Sequence, residues 1–130
     1  MEIEYWLTSS KDDLDTANKL YASEKYHHCL FFVHLALEKI LKALYIFQKQ
    51  GPPPPIHDLV RLAEKSGVKV SNDLIYQLAE ISTFNVAARY DDYKFKFYKK
   101  ATKEYATDWL KTGEKLYDYF RKEVENGRSG

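Results

Sequence analysis

Apolar residues recur at helical spacing along most of this 130-residue chain, and no two segments pair convincingly as a β-sheet. A run of four prolines after Gly51 ends the second apolar segment, because proline has no amide donor and clashes with the preceding helical turn. The pattern predicts an all-α protein, and its short loops favour antiparallel packing of successive helices in a bundle. The five predicted helices cover Ile3–Ser23, Tyr26–Gln50, His57–Ser66, a segment from a cap at Ser71 or Asn72 to about Ala88, and about Ala101–Val124.

The second predicted helix is apolar on nearly all sides. Its main stripe follows the leucines between Leu30 and Leu44, while Phe31, Phe32 and Leu35 point away from that stripe. A helix with this pattern is buried by more than one neighbour, and a large exposed apolar patch usually marks an interface. We therefore expect this helix in the centre of the bundle, and a homodimer in which a second copy covers the phenylalanines.

Aromatic and cationic side chains interleave in the segment Arg89–Lys100. We interpret it as an extended loop or an irregular entry to the last helix, because its period-two stretch Tyr93–Phe97 has no partner strand. Such a segment can stack bases on its rings and bind phosphates with its cations, or its rings can close the end of the bundle. Arg89 is the leading candidate, since a planar guanidinium suits bidentate phosphate binding, although Asp91 or Asp92 could hold it in an internal ion pair. Tyr90 and Lys96 complete this candidate phosphate site.

His34, Glu38 and Lys42 lie at every fourth position of the second helix and therefore on one flank. They either bind a phosphate or a base, with Glu38 orienting the other two, or they form a structural row of hydrogen bonds. His57 and Asp58 follow the prolines at a predicted helix N-terminus, where free amides favour a capping side chain or a bound anion. These five residues join the candidate nucleotide site, and no metal site is predicted because nothing like HExxH is present.

Composition narrows the function classes further. The length suits one domain, residues 1–124, followed by a flexible polar tail at 125–130, and the net charge of +1 gives no protein-wide field that attracts nucleic acid. The single Cys29, which we place in the core, excludes an internal disulfide and a cysteine zinc site and favours a cytoplasmic location. Charges within the apolar helix exclude a membrane span, and no nucleophile elbow or glycine-rich phosphate loop is present.

Three segments carry a resemblance to a known family: HLALEKILKALYI in the second helix, PPPPIHDL after it, and FNVAARYDDY before the last helix. In this order, with a late helix rich in Tyr and Trp, they resemble the HEPN domain (higher eukaryotes and prokaryotes nucleotide-binding) from Met1 to about Val124. The resemblance implies an all-α bundle that is commonly homodimeric. Small prokaryotic members are often encoded beside a minimal nucleotidyltransferase in toxin–antitoxin pairs, and many are metal-independent RNases.

The family RNases carry an arginine, a gap of four to six residues and then a histidine, often followed two residues later by a tyrosine. Arg89 matches the arginine, whereas Lys94, Phe95 and Lys96 stand where the histidine is expected. Tyr98 matches the tyrosine, which some partner transferases adenylylate. A lysine normally stays protonated at neutral pH and cannot act as a base, so the resemblance favours a nucleotide site over RNase activity.

We therefore favour a dimeric, HEPN-like helical protein that binds a nucleotide, ATP or GTP, without a cofactor and serves as the partner of a separate nucleotidyltransferase. One alternative is a divergent metal-independent RNase toxin that acts on RNA with Arg89 as its catalytic residue. Another is a non-catalytic module for protein interaction.

Overall fold

Six α-helices account for the regular structure of residues 2–129, the part of the chain that this computed structural model describes, with side chains described for residues 2–127. The prediction of an all-α bundle is confirmed, with six helices in place of five. The helices are α1 (Ile3–Ala22), α2 (Tyr26–Lys49), α3 (Leu59–Ser66), α4 (Asn72–Arg89), α5 (Asp91–Lys100) and α6 (Lys103–Ser129).

Helix α2 runs through the centre of the bundle, as its apolar sequence predicts. It packs against α1, α3, α4 and α6, and the side chains of Leu30 and Leu44 on its main stripe are fully buried. Burying one such leucine contributes about 1.5–3 kcal/mol. The apolar surface of α2 therefore stabilises the packing of the four helices that contact it. Phe31, Phe32 and Leu35 are only half-buried, and they do not form the large exposed patch that the sequence pattern predicts.

Helix α1 packs antiparallel to α2, as the short loop between them predicts. Lys39 of α2 contacts Asp13 of α1 through an ion pair of 2.7 Å, and Lys42 lies 5.5 Å from the centre of the Trp6 ring. Residue numbers therefore rise along one helix while they fall along the other. The same Lys39 ammonium donates to the Ser9 hydroxyl at 2.8 Å, so polar contacts at the edge of the interface fix its register.

Helix α6 packs parallel to α2, with the two backbones close together at two glycines. A Cβ atom on Gly113 would lie 2.5 Å from Cγ1 of Val33, and one on Gly127 would lie 2.3 Å from the ring of Phe47. Residue numbers rise together along both helices, which establishes the parallel direction. The absence of a side chain at each glycine permits this close approach.

The ends of α3 and α4 follow the predicted capping chemistry. Asp58 Oδ1 accepts hydrogen bonds from the amides of Val60 at 2.9 Å and Arg61 at 3.2 Å, so α3 begins after His57 rather than at it. Ser71, and not Asn72, caps α4. Its hydroxyl accepts a hydrogen bond of 3.1 Å from the amide of Leu74, the third residue of the helix. Both side chains satisfy amides that lack partners within their helices.

The prediction that Arg89–Lys100 is an extended connector is wrong, because Asp91–Lys100 forms helix α5. Two aspartates in its first turn and two lysines in its last turn complement the helix dipole. None of its residues is buried, and only Phe97 packs inward, with its ring 5.4 Å from that of Phe84. Tyr93 and Phe95 are exposed, so the alternation of aromatic residues and lysines does not mark the buried face of a β-strand.

The last helix is longer than predicted. Helix α6 continues to Ser129, so the end of the last helix expected at about Val124 is wrong. Residues 125–129 extend the helix. Gly130, the end of the predicted tail, lies outside the described residues. Within residues 2–129, no helix combines the length and the apolar sequence that crossing a membrane requires.

Candidate functional site

A continuous row of polar contacts leads from the interior of α2 to the surface at the end of α4. Lys42 donates from Nζ to Glu38 Oε2 at 2.9 Å, and Nδ1 of His57 lies 3.0 Å from the same oxygen. Nη2 of Arg89 lies 2.9 Å from Nε2 of His57. Lys42 and Glu38 are each 7% exposed, whereas Arg89 is exposed. One imidazole therefore links a buried ion pair to an exposed guanidinium.

These contacts define the protonation state of the His57 ring. A guanidinium nitrogen can only donate, so Nε2 of His57 accepts and carries no proton. Nδ1 then carries the proton and donates to the Glu38 carboxylate. His57 is neutral in this arrangement, and its lone pair on Nε2 accepts the hydrogen bond from Arg89. A carboxylate behind an imidazole holds this tautomer and stabilises the protonated ring when it forms.

His34 supports the segment that carries His57 and does not reach solvent. Its Nε2 donates to the backbone oxygen of His57 at 3.0 Å, and its side chain is fully buried. Burial lowers the pKa of His34, and the opposing charge of Glu38 does not offset this effect. The remaining nitrogen, Nδ1, is buried without a hydrogen-bond partner, 3.8 Å from Glu38 Oε1. Within the described residues, no three side chains are grouped to hold a metal ion.

Glu38 is ionised at the centre of the row. Burial alone would raise its pKa, but the hydrogen bond and charge of Lys42, together with His34 and His57, lower the pKa below the usual value of 4.5. Lys42 thus neutralises the buried carboxylate. The four residues from Lys42 to Arg89 carry two cations, one anion and one neutral ring, so the exposed end of the row is cationic.

The guanidinium of Arg89 has no ion pair among residues 2–127, so neither acidic neighbour holds it. Asp91 pairs with Lys94 at 3.1 Å instead, and no ion pair to Arg89 involves Asp92 within this range. Exposed on the last turn of α4, Arg89 contacts only the neutral His57 ring among the described hydrogen bonds. Its remaining N–H donors are directed away from that bond and are available to an anion.

Burial corrects the predicted roles of two residues in the row. His34 and Lys42 have exposed fractions of 0% and 7%, so neither can contact a phosphate in solvent. They act on the exposed end of the row only through Glu38 and His57. Lys42 and Glu38 form the hydrogen-bonded pair that the structural alternative describes, whereas His34 donates to the backbone of His57 and makes no hydrogen bond to Glu38.

The other predicted residues lie around the row rather than in it. Asp58 uses its carboxylate to cap α3, which is the capping role that the sequence predicts, and it occupies the position that an anion would take. Tyr90 is 57% exposed between α4 and α5. Lys96 lines a separate depression between α4 and α5. Tyr98 packs the edge of its ring against His27, with 5.2 Å between centroids.

Sequence reasoning missed the first turn of α2. His27, His28 and Phe31 line a cleft of about 640 Å³ whose other wall includes Phe95 and Tyr98 of α5. The available signal was a cluster of rings at the start of a helix whose later residues already form the core. Because α5 was not predicted as a helix, no sequence feature indicated a second wall facing these rings.

The HEPN domain model matches residues 3–124. The chain belongs to the HEPN domain family. This HEPN protein also has the fold of TT1696 from Thermus thermophilus, whose crystal structure superposes with a TM-score of 0.80 at 19% identity. The alignment covers 94% of this chain and 98% of that chain, and at this identity it shows the fold alone. No match was found among curated proteins.

The histidine of the family RNase motif is absent from this HEPN protein, yet an imidazole lies beside Arg89. It belongs to His57, which precedes the arginine by 32 residues and lies just before α3, next to the end of α4. Sequence spacing around Arg89 could not reveal it, because the two side chains meet only after α3 and α4 pack together. The missing motif residue therefore does not mean that the arginine lacks an imidazole neighbour.

Proposed function

We propose that this HEPN protein binds nucleotides through their phosphate groups at Arg89 and His57. The observation that carries the proposal is an exposed guanidinium with a neutral partner, His57, and no carboxylate partner among residues 2–127. An arginine that is not neutralised by an acid retains its full charge for a ligand. Its planar fork matches two phosphate oxygens, which a lysine cannot do in the same geometry.

The buried end of the row supports the same function. An unneutralised carboxylate close to Arg89 would repel a phosphate, but Lys42 pairs with Glu38 at 2.9 Å. Glu38 can therefore orient His57 without presenting its charge to the ligand. His57, held by Glu38, accepts from Arg89 and so fixes the position of the guanidinium that contacts the phosphate.

Titration calorimetry with ATP and GTP tests this proposal. We expect binding to the wild-type chain and a loss of at least about tenfold in affinity for Arg89→Gln, because one charge-assisted phosphate contact is removed. Arg61→Gln is the matched control, since it removes an exposed guanidinium from α3 and should leave the affinity unchanged. Equal affinities for the wild type and Arg89→Gln would contradict the proposed site.

We also propose that the protein is the partner of a separate minimal nucleotidyltransferase in a toxin–antitoxin-like pair, as the family resemblance implies. Tyr98, the matching tyrosine, is 61% exposed, which supports access by a modifying enzyme. Co-expression with a minimal nucleotidyltransferase, followed by mass spectrometry, should give AMP on Tyr98 and none on a Tyr98→Phe variant. Modification of the variant to the same extent would exclude Tyr98 as the acceptor.

The homodimer remains part of the proposal. The half-buried face of α2 at Phe31, Phe32 and Leu35 is where a second copy would complete the burial of an otherwise buried helix. Light scattering at micromolar concentration should give twice the 15.3 kDa mass of one chain. A monomer at these concentrations would contradict it, and a dimer that Leu35→Glu does not weaken would move the interface elsewhere.

RNA cleavage is a second candidate function, and the Glu38–His57–Arg89 geometry favours it. With Arg89 turned to a phosphate, Nε2 of His57 could take the proton of an adjacent 2′-hydroxyl as its oxygen attacks phosphorus. The bond from phosphorus to the 5′-oxygen breaks, that oxygen takes a proton from water, and the hydroxide left behind takes the proton back from His57. The products are a 2′,3′-cyclic phosphate and a 5′-hydroxyl, and a carboxylate behind the imidazole suits it to act as the base.

An RNA oligomer and its 2′-deoxy counterpart distinguish this candidate from simple binding. Cleavage of the RNA alone, with a cyclic phosphate end and a large loss of rate in His57→Gln, is the expected result. Nucleotide binding without any cleavage by the folded wild type would exclude the enzyme and leave the binding function in place.

A further inference from the structure

The cleft between α2 and α5 is a second concave surface, distinct from the row that ends at Arg89. Its volume of about 640 Å³ lies in the range of small-molecule sites, and neither Arg89 nor His57 lines it. An adjoining cavity of about 580 Å³ shares His27, His28 and Tyr98 with it. The two form one groove along the first turn of α2, named here the α2–α5 groove.

Aromatic rings form both walls of the α2–α5 groove. On the α2 wall the rings of His27 and His28 lie 3.9 Å apart between centroids, inclined by 38°. On the α5 wall Phe95 is 65% exposed and Tyr98 is 61% exposed. Tyr98 and His27 contact each other edge to face across the groove, with 5.2 Å between centroids, so a planar ligand would stack on the exposed faces of the rings rather than between these two.

Cations border the same groove. Lys94 lines the larger cavity, and Lys25 and Lys99 line the smaller one, where the Glu24 side chain is the acid among the lining residues. The Lys99 ammonium lies 4.6 Å from the centre of the Phe95 ring. Rings alternating with lysines provide stacking surfaces for bases and positive charge for the phosphates between them.

His27 in the groove is suited to a neutral, planar partner. Burial lowers the pKa of His27, and the nearby charges of His28 and Lys25 act in the same direction. A neutral imidazole can stack and can also exchange hydrogen bonds with the polar edge of a heterocycle. A purely hydrophobic peptide would leave those ring nitrogens without partners.

We propose that the α2–α5 groove is a nucleobase site, in which a base carried on a phosphorylated ribose stacks on the exposed rings that line it, Phe95 and Tyr98 on α5 and His28 on α2. The inference rests on the proposed function, because it assigns to the Arg89 end the phosphate of the same ligand. The chain links the two places: Ala88 lines the groove and immediately precedes Arg89. On α2, Phe31 lines the groove one turn before His34, which holds the backbone of His57.

Calorimetry of the full chain with ribose 5-phosphate, AMP and adenosine separates the two subsites. We expect AMP to bind about tenfold more tightly than ribose 5-phosphate, because one base is added to an aromatic surface. The double variant Phe95→Ser, Tyr98→Ser should reduce AMP to the affinity of ribose 5-phosphate without changing the latter. Tyr93→Ser is the matched control, since Tyr93 is an exposed α5 ring, at 53%, that does not line the groove.

His28→Ala tests the opposite wall independently, and circular dichroism should show that all variants remain helical. His28 is exposed, so its loss should weaken AMP without affecting the fold. An oligoadenylate that binds more tightly than AMP would identify single-stranded RNA as the source of the base, and equal affinity would identify a mononucleotide.

Two results distinguish failure of the groove from failure of the phosphate site. Equal affinities of AMP and ribose 5-phosphate for the wild type would overturn the base site and leave the Arg89 site standing. Binding of adenosine, lost in the double variant, without any binding of ribose 5-phosphate would support the groove and overturn the proposed phosphate site.

Discussion

At the scale of single residues, Glu38 is the group on which the candidate site depends. It is ionised although it is only 7% exposed, because Lys42 donates to it at 2.9 Å and His57 donates from the other side. A buried pair of this kind gives little net stability, yet removal of one partner leaves an unpaired buried charge. A substitution of Glu38 should therefore lower the free energy of unfolding strongly. Glu38 also orients the imidazole of His57 that contacts Arg89.

Glu38→Gln should be less stable than the wild type by about 3 kcal/mol near neutral pH, since Lys42 is then buried without its counter-charge. The pKa of Glu38 is lower in the folded chain than its usual 4.5, so its ionisation contributes stability above that value. This contribution is lost as the pH falls through the lower, folded-state pKa. Urea unfolding should therefore give a constant difference between the two chains down to about pH 5 and a narrowing difference below it.

The matched control for that experiment is Glu64→Gln, which alters an exposed carboxylate on α3. It should change the free energy of unfolding by less than about 0.5 kcal/mol at every pH. A difference between the wild type and Glu38→Gln that stayed constant into strong acid would mean that Glu38 is not ionised in the folded state.

Cys29 is chemically inert in the folded chain. Burial raises the pKa of its thiol to about 12, with a further contribution from the charge of Glu114, and the side chain is 0% exposed. Only the thiolate is nucleophilic, so iodoacetamide should leave native protein unmodified at mildly alkaline pH and alkylate it fully in denaturant. A Lys65→Cys variant, which adds an exposed thiol, should react at that added site without denaturant. Rapid alkylation of native Cys29 would contradict its placement in the core.

At the scale of helices, the apolar pattern predicted the elements that share a core and failed for the one that does not. Helix α2 was identified because its neighbours bury it on several sides. Helix α5 has no buried residue, and its ring–lysine alternation imitated a strand. Helix α5 is stabilised locally by acidic and basic residues at the correct ends, and it is attached to α4 by the contact of Phe97 with Phe84.

The α2–α6 interface gives a prediction in which two effects have opposite signs. Replacing a helical glycine by alanine usually stabilises a helix by about 0.5–1 kcal/mol. At Gly113, however, the new Cβ would lie 2.5 Å from Val33, a fully buried β-branched side chain that cannot move aside. Overpacking of this kind costs about 1–3 kcal/mol, so Gly113→Ala should lower the free energy of unfolding. Chemical denaturation measures the change.

Gly127 is the matched comparison on the same helix. Its new Cβ would meet the outer ring atoms of Phe47, which is only half-buried and can rotate away. Gly127→Ala should therefore be neutral or slightly stabilising, and Val33→Ala combined with Gly113→Ala should recover part of the lost stability. Equal effects at both glycines would show that the α2–α6 spacing adjusts freely along its length.

At the scale of the whole molecule, the candidate site combines segments that the sequence keeps apart. The polar flank of α2 could be predicted, because His34, Glu38 and Lys42 stand at every fourth position and therefore share one side of the helix. The contact between His57 and Arg89 could not, since it depends on how α3 and α4 dock on α2. The groove was likewise hidden, because its two walls come from the start of α2 and from α5, which the pattern did not identify as a helix.

A ligand that joins these segments should stabilise the entire bundle, because it contacts only the folded chain. At a hundred times its dissociation constant, a nucleotide adds about 2.7 kcal/mol to the free energy of unfolding, which raises the melting temperature of a chain of this size by on the order of 10 °C. We expect that shift with ATP or GTP in the wild type and in Arg61→Gln, and its loss in Arg89→Gln. Because Arg89 is exposed, the shift should also fall as salt is raised from about 50 to 500 mM. Scanning calorimetry at both salt concentrations measures it, and an undiminished shift in Arg89→Gln would place the nucleotide away from the end of α4.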